Sequence, residues 1–275
     1  MSSTISGKVI AITGGARGIG FDTAKRLIAD GARVAIGDID EVQMKTAATE
    51  LDITAYARLD VTDPASFADF LDMVEAELGP IDVLVNNAGI MPTGWFHEES
   101  DKITRRQVEI NVLGVMWGSK QALQRMLPRR SGHVINIASL AGEGYFPGVA
   151  AYCGTKHAVK ALTETLRREY HDSGVDFSCV MPTFVNTELT AGAGKPKLLR
   201  NAEPQEIADA VARLVEKPKS QVRVTGMAGK LSQLQNILPR RVLEPIIKAL
   251  GTEHILLQDI DNNARKAYSD RIETN

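Results

Sequence analysis

At 275 residues, 44% hydrophobic and 24% charged, the chain has room for one large domain or two small ones and an ordinary globular balance. A formal net charge of -2 offers no basic excess for a nucleic-acid partner. Cys153 and Cys179 make no CxxC pair, and no leader pattern or lipid-spanning apolar run occurs, so a soluble cytoplasmic protein is expected.

The elements alternate from the start. Residues 8–12 read as a strand that runs into Thr13 and a glycine-rich turn. A helix follows with Ala24, Leu27 and Ile28 on one face, Gly31 stops it, and 33–36 form the next strand. A weak strand lies within 51–60, and Asp63-Pro64 opens a helix that ends near Gly79. The run 81–85 is nearly all apolar, as in a strand covered on both faces. A long helix over 102–126, a strand over 133–138 and a helix over 154–171 come next. A strand over 175–180, a helix over 204–216 and a strand over 222–225 complete the pattern. This order predicts α/β architecture: a doubly wound parallel sheet with helices on both faces. Alternation also fits a barrel, and the opening glycine turn favours the open sheet. Residues 1–228 are expected to form one domain, and 229–275 a helical extension.

The opening turn reads Thr13-Gly14-Gly15-Ala16-Arg17-Gly18-Ile19-Gly20. Glycine permits tight turning and lets backbone approach a phosphate. The following helix directs free N–H groups and its positive dipole end to the same place, which suits a dinucleotide pyrophosphate. No Gly-Lys-Ser/Thr ending is present, so this is not an ATP-phosphate loop. Asp38 stands just beyond the second strand, where a carboxylate accepts hydrogen bonds from an adenosine ribose and repels a 2′-phosphate. NAD is therefore expected over NADP. Arg17 pulls the other way, because a guanidinium suits that phosphate. Asn86-Asn87-Ala88-Gly89 follows the buried strand, either bracing the pocket through short amides or simply making a turn.

Tyr152 and Lys156 are four apart on a predicted helix and share a face. A phenol with a reference pKa of about 10 is a poor base at neutral pH. A neighbouring ammonium lowers that pKa, which makes Tyr152 usable as a general acid in one direction and a base in the other. Such a pair alone also commonly decorates helix surfaces. Ser139 ends a strand, placed to hydrogen-bond a substrate oxygen or to form a cap. Asn111 lies inside a helix, where propensity does not favour it, and reads as a water anchor linked to Lys156 or as an interhelical contact.

Taken together these residues resemble the classical short-chain dehydrogenases/reductases over about residues 7–226. Thr13-Gly14-x-x-x-Gly18-x-Gly20 matches the cofactor turn, Asp60 with Val61 the adenine-side pair, and Asn86-Asn87-Ala88-Gly89 the central-strand motif. Asn111, Ser139, Tyr152 and Lys156 match the catalytic tetrad in order and spacing. The resemblance implies a Rossmann-like fold and hydride transfer between nicotinamide and substrate, with no metal. It implies Tyr152 as acid/base, and Lys156 as the residue that lowers its pKa and binds the nicotinamide ribose. Ser139 would position the substrate oxygen and Asn111 support a relay water. The family usually has Pro-Gly and then threonine after the sixth strand. Here Pro182 is followed by Thr183, whose branched side chain restricts the backbone, and Thr187 matches the nicotinamide-side threonine.

Residues 188–200 are expected to close over substrate. Ile90, Met91, Trp95 and Leu140, with Tyr145, Phe146, Phe184 and Leu189, supply an apolar pocket without an arginine cluster. An apolar secondary alcohol or ketone, steroid-like, retinoid-like or fatty, is the expected substrate. His97 is expected in solvent. Leu231, Leu234, Leu238, Val242, Ile246 and Leu250 recur at helical spacing, interrupted by Pro239 and Pro245. That segment covers the pocket, meets another subunit or rests on a membrane surface as a peripheral contact. The polar residues 259–275 read as a fraying end or a partner contact. A homodimer or homotetramer is expected, with Val112, Val115 and Met116 and Ala158, Leu162 and Leu166 as contacts. The alternatives are an NADP-dependent carbonyl reductase and a non-catalytic nucleotide-binding regulatory protein. The complete tetrad argues against the second.

Overall fold

Short apolar runs build the sheet. In the computed structural model, which describes residues 4–194, 200–225, 241, 255–257 and 260–274, the strands are β1 (Val9–Thr13), β2 (Arg33–Asp38), β3 (Tyr56–Arg58), β4 (Val83–Asn86), β5 (Gly132–Ile137), β6 (Val175–Pro182) and β7 (Gln221–Val224). They pair in parallel in the order β3-β2-β1-β4-β5-β6-β7. The order reverses between β1 and β4, so a crevice opens at the carboxyl ends of those two strands. This is a Rossmann-like α/β fold.

Strand periodicity sorts side chains into two cores. Ile10 and Ile12, with Val34, Ile36, Val83 and Val85, enter one cluster. Ala11, Ala35, Leu84 and Val134 enter the other. The first core is closed by α1 (Gly18–Ala29), α2 (Glu41–Leu51) and α7 (Pro204–Glu216), through Leu27, Met44 and Val211. The second is closed by α3 (Pro64–Leu78) and α5 (Gly114–Met126), through Phe67, Phe70 and Met126. Each such fully buried side chain stabilises the fold by roughly 1.5–3 kcal/mol. Asp63 caps α3 by accepting from Ala65 N at 2.9 Å, with Pro64 in the first turn.

Two departures from expectation have physical causes, and the expected long helix carries a π turn. Helix α2 was not anticipated, because only Met44, Ala47, Ala48 and Leu51 face inward and the rest of its sequence is polar. The long helix is α4 (Asp101–Val108) continued through a π-helical turn (Glu109–Leu113) into α5. Residues 262–274 do not fray: they form α8 (Asn262–Thr274), with Arg265, Tyr268 and Ile272 buried at helical spacing. The apolar positions from Leu231 to Leu250 lie outside the described residues. Among the described residues, no helix is long and apolar enough to cross a membrane.

A buried ion cluster fastens the loop after β5. Glu143 is buried and accepts from Arg223 of β7, Nε at 2.9 Å and a second nitrogen at 2.6 Å. Lys160 of α6 (Ala150–Glu169) approaches the same carboxylate at 2.8 Å. These cations hold the Glu143 carboxyl down to about 2 against the opposing effect of its burial.

Candidate active site

The crevice is stitched together by two side chains. The Thr13 hydroxyl accepts from Asn87 N at 3.0 Å and Ala88 N at 3.1 Å. The Asn87 amide donates to Thr13 O and Gly14 O, each at 3.0 Å. These bonds hold the ends of β1 and β4 in register and shape the glycine turn. Gly14 and Gly18 adopt φ of +66° and +53°, the left-handed region that favours glycine. A Cβ on Gly20 would sit 2.2 Å from Gly14 O. Gly20→Ala is therefore expected to displace the turn and weaken dinucleotide binding by about tenfold or more, checked by fluorescence titration. Binding equal to that of the native chain would refute this account of the turn.

Arg17 at the N-cap of α1 makes no side-chain cap, so the first N–H groups of that helix stay available at Gly18 and Ile19, which line the cleft. With the close glycine packing, these donors fit a pyrophosphate. Thr187 packs against Gly18, 3.3 Å from the position of an added Cβ, and also lines the cleft. At the outer end, Asp38 Oδ2 accepts from Ala16 N and Oδ1 from Asp40 N, both at 3.1 Å. Arg17 pairs with Asp40 and, at 3.3 Å, with Glu188. Asp60 Oδ1 accepts from the Thr62 backbone at 3.0 Å and its hydroxyl at 2.7 Å, with Val61 beside it at the cleft wall.

Tyr152, in the first turn of α6, and Ser139, which caps the short turn Leu140–Gly142, meet in the same cleft. Ser139 Oγ accepts from Ala141 N at 3.1 Å, donates to Pro182 O at 3.5 Å and neighbours the Tyr152 hydroxyl. Lys156 donates to Ile137 O at 2.9 Å, and its Nζ lies 5.5 Å from the centre of the Tyr152 ring. Burial brings the Lys156 ammonium down to about 8. Burial also pushes the Tyr152 phenol up, and the neighbouring Ser139 hydroxyl only partly offsets it.

Of the residues singled out in the sequence, Gly14, Arg17, Gly18, Ile19, Asp38 and Asp60 line one continuous cleft. So do Val61, Asn87, Ala88, Gly89, Pro182 and Thr187, together with Ser139, Tyr152 and Lys156. Gly20 and Asn111 stand behind its wall. Asn111 sits in the π turn, fully buried, accepts from Ile90 N and donates to Ile90 O, both at 2.9 Å, and donates to Thr155 at 3.1 Å. Both amide protons are engaged, so its visible part is to hold the Ile90 loop. Thr183 avoids positive φ and donates its N–H to Val224 O at 3.1 Å, continuing the sheet past Pro182.

The apolar end contains Ile90, Met91, Leu140, Phe146, Phe184 and Leu189. Trp95 and Tyr145 are not part of it: they are 50% and 75% exposed, and Tyr145 stacks on His157. His97 is exposed, as expected. Glu188 and Thr190 line the cleft, while 195–199 lie outside the described residues. Leu256, Tyr268 and Ile272 also wall the cleft and were not singled out in the sequence. The 265/268/272 spacing was the signal that marks them. Helix α8 is held there by the Tyr268 hydroxyl, which accepts from Met91 N at 2.8 Å. Arg265 adds bonds to Leu189 O at 3.0 Å, Ala191 O at 3.1 Å and Met91 O.

The short chain dehydrogenase family matches residues 8–197. An uncharacterized oxidoreductase of Staphylococcus saprophyticus is 34% identical over 232 residues, covering 79% of this chain and 93% of the relative. A 2,5-dichloro-2,5-cyclohexadiene-1,4-diol dehydrogenase of Sphingobium indicum is 35% identical, covering 74% of this chain and 83% of its own. A 3-alpha-(or 20-beta)-hydroxysteroid dehydrogenase of Mycobacterium tuberculosis is 34% identical, covering 80% and 86%. A cleft formed at the switch point of a parallel sheet thus coincides with a match across most of the chain, and the protein belongs to the short-chain dehydrogenases, oxidoreductases that use a nicotinamide dinucleotide.

Proposed function

We propose that the protein is an NAD-dependent dehydrogenase/reductase that interconverts an apolar secondary alcohol and its ketone. The observation that carries this reading is the meeting of Ser139, Tyr152 and Lys156 in one cleft with the glycine turn. When bound, the dinucleotide supplies the hydride acceptor or donor. Ser139 orients the substrate oxygen. Tyr152 delivers its phenolic proton to that oxygen in reduction and is reprotonated from solvent afterwards; in oxidation its phenolate form, having first lost that proton to solvent, accepts the alcohol proton. Lys156, buried and bonded to Ile137 O, places a desolvated ammonium beside the phenol and the nicotinamide ribose. Asn111 keeps the Ile90 loop in place. The apolar side chains of the pocket exclude water, and the hydroxysteroid and cyclic diol dehydrogenases among the relatives act on compounds of matching character.

Preference for NAD rests on charge. Asp38 lines the cleft at the end of β2, where its carboxylate would repel a 2′-phosphate, and Arg17 is engaged by Asp40 and Glu188. NADH is expected to bind about tenfold or more tightly than NADPH, with Asp38→Asn narrowing the gap. Titration of both nucleotides decides this, and equal affinities would overturn the assignment. The enzyme reading itself is tested by initial rates over a panel of apolar alcohols and ketones with either cofactor. The partly exposed Val112, Met116 and Leu162 fit a homodimer or homotetramer joined along α5 and α6.

A further inference from the structure

Tyr268 brings a polar atom to the apolar end of the cleft from a helix that carries none of the residues discussed as reactive. Its side chain is buried, and the residue lines the same cleft as Ser139 and Tyr152. The hydroxyl accepts from Met91 N at 2.8 Å, which occupies a lone pair and leaves its own proton to give. Among the described residues that proton has no acceptor. A buried donor left without a partner is costly, so such a group is normally matched by something that binds beside it.

The ring is held between two guanidinium groups. Arg265 lies 4.8 Å and Arg271 5.5 Å from the ring centre. Both cations draw electron density from the phenol and strengthen its O–H as a donor. Burial pushes the phenol up from its usual value, so it keeps that proton. The cations themselves are committed elsewhere: Arg265 donates to the carbonyls of Leu189, Ala191 and Met91, and Arg271 pairs with Glu188 at 2.6 Å. What Tyr268 offers is therefore one neutral donor, suited to a neutral oxygen more than to a carboxylate.

We propose that Tyr268 is a specificity-determining residue that donates its hydroxyl proton to a second oxygen of the substrate, distinct from the one handled by Ser139 and Tyr152. The favoured substrates are then neutral diols, hydroxyketones or diketones on an apolar skeleton. This rests on the dehydrogenase reading above and narrows it. A substrate without the second oxygen leaves the Tyr268 donor buried and unpaired, which is how a site built for a hydroxyl or carbonyl rejects an analogue lacking it.

The test compares matched pairs of alcohols: cyclohexanol with cyclohexane-1,4-diol, and decalin-2-ol with decalin-2,6-diol, each with NAD and NADP. The native enzyme is expected to favour the diol of at least one pair by about tenfold in kcat/KM, beyond the roughly twofold that two equivalent hydroxyls bring. Tyr268→Phe keeps the ring between the guanidinium groups. Its loss on that diol is expected to exceed its loss on the single alcohol by about tenfold, the loss on the single alcohol reporting the Met91 bond that is removed from both. An equal loss on both would assign Tyr268 a purely structural part and overturn the proposal, since loosening of α8 acts on every substrate alike. A native enzyme active on the alcohols with no diol preference in either pair would overturn it too, without any variant having to fold. Silence of the native enzyme on all four alcohols would instead reject the dehydrogenase reading beneath it.

Discussion

Tyr152→Phe is expected to lower kcat by roughly 10²–10⁴-fold on any confirmed substrate, the range typical of a lost general acid/base. Affinity for the nicotinamide dinucleotide should stay within about twofold of the native value, because the ring remains and only the hydroxyl is lost. The geometry explains why the loss is large. Ser139 neighbours the phenol, the Lys156 ammonium lies 5.5 Å from the ring centre, and burial excludes the bulk water that would otherwise substitute as a proton source. Stopped-flow turnover beside a nucleotide titration separates the two effects. A variant that turns over within tenfold of native would leave the proton transfer without its proposed donor.

Glu143→Gln is expected to destabilise the fold by about 3 kcal/mol, since it leaves Arg223 and Lys160 facing a neutral amide in a buried position. For a chain of this size that corresponds to a fall in Tm of roughly 6–12 °C. The same carboxyl sets an acid limit. Its folded value is about 2 against an ordinary 4.5, so the unfolded chain takes up the proton first as pH falls. The stabilisation is fully present above about 4.5 and disappears as pH drops towards 2. Urea melts of native and variant chains at several pH values should therefore differ most at neutral pH and converge near pH 2. Parallel curves across that window would show that Glu143 does not carry the acid limit.

The parts of the fold visible in the sequence are those where local pattern and burial agree. β1 and β4 are buried along their whole length, and both are recognisable as apolar runs. The glycine turn is legible because Gly14 and Gly18 need backbone angles that other residues resist. By contrast, α2 and α8 each present a narrow apolar stripe in a polar sequence, and that stripe acquires meaning only against a surface folded from elsewhere. Trp95 and Tyr145 read as pocket residues by position, yet the loops that carry them turn outward, and chain direction at a loop is a tertiary property. The burial of Tyr152 was illegible for the same reason: it is made in part by Ile255 and Leu256, more than a hundred residues further along the chain.

The bonds between Thr13 and Asn87 join positions 74 apart in sequence. They lie on a seam: β1–β3 form one side of it and β4–β7 the other. Contacts of such sequence separation close slowly, because the intervening chain must first be ordered. A ligand that bound only the joined state would, at a hundred times its Kd, add about 2.7 kcal/mol to the stability of that state. For a chain joined along such a seam, ligand concentration would then set resistance to proteolysis as well as occupancy.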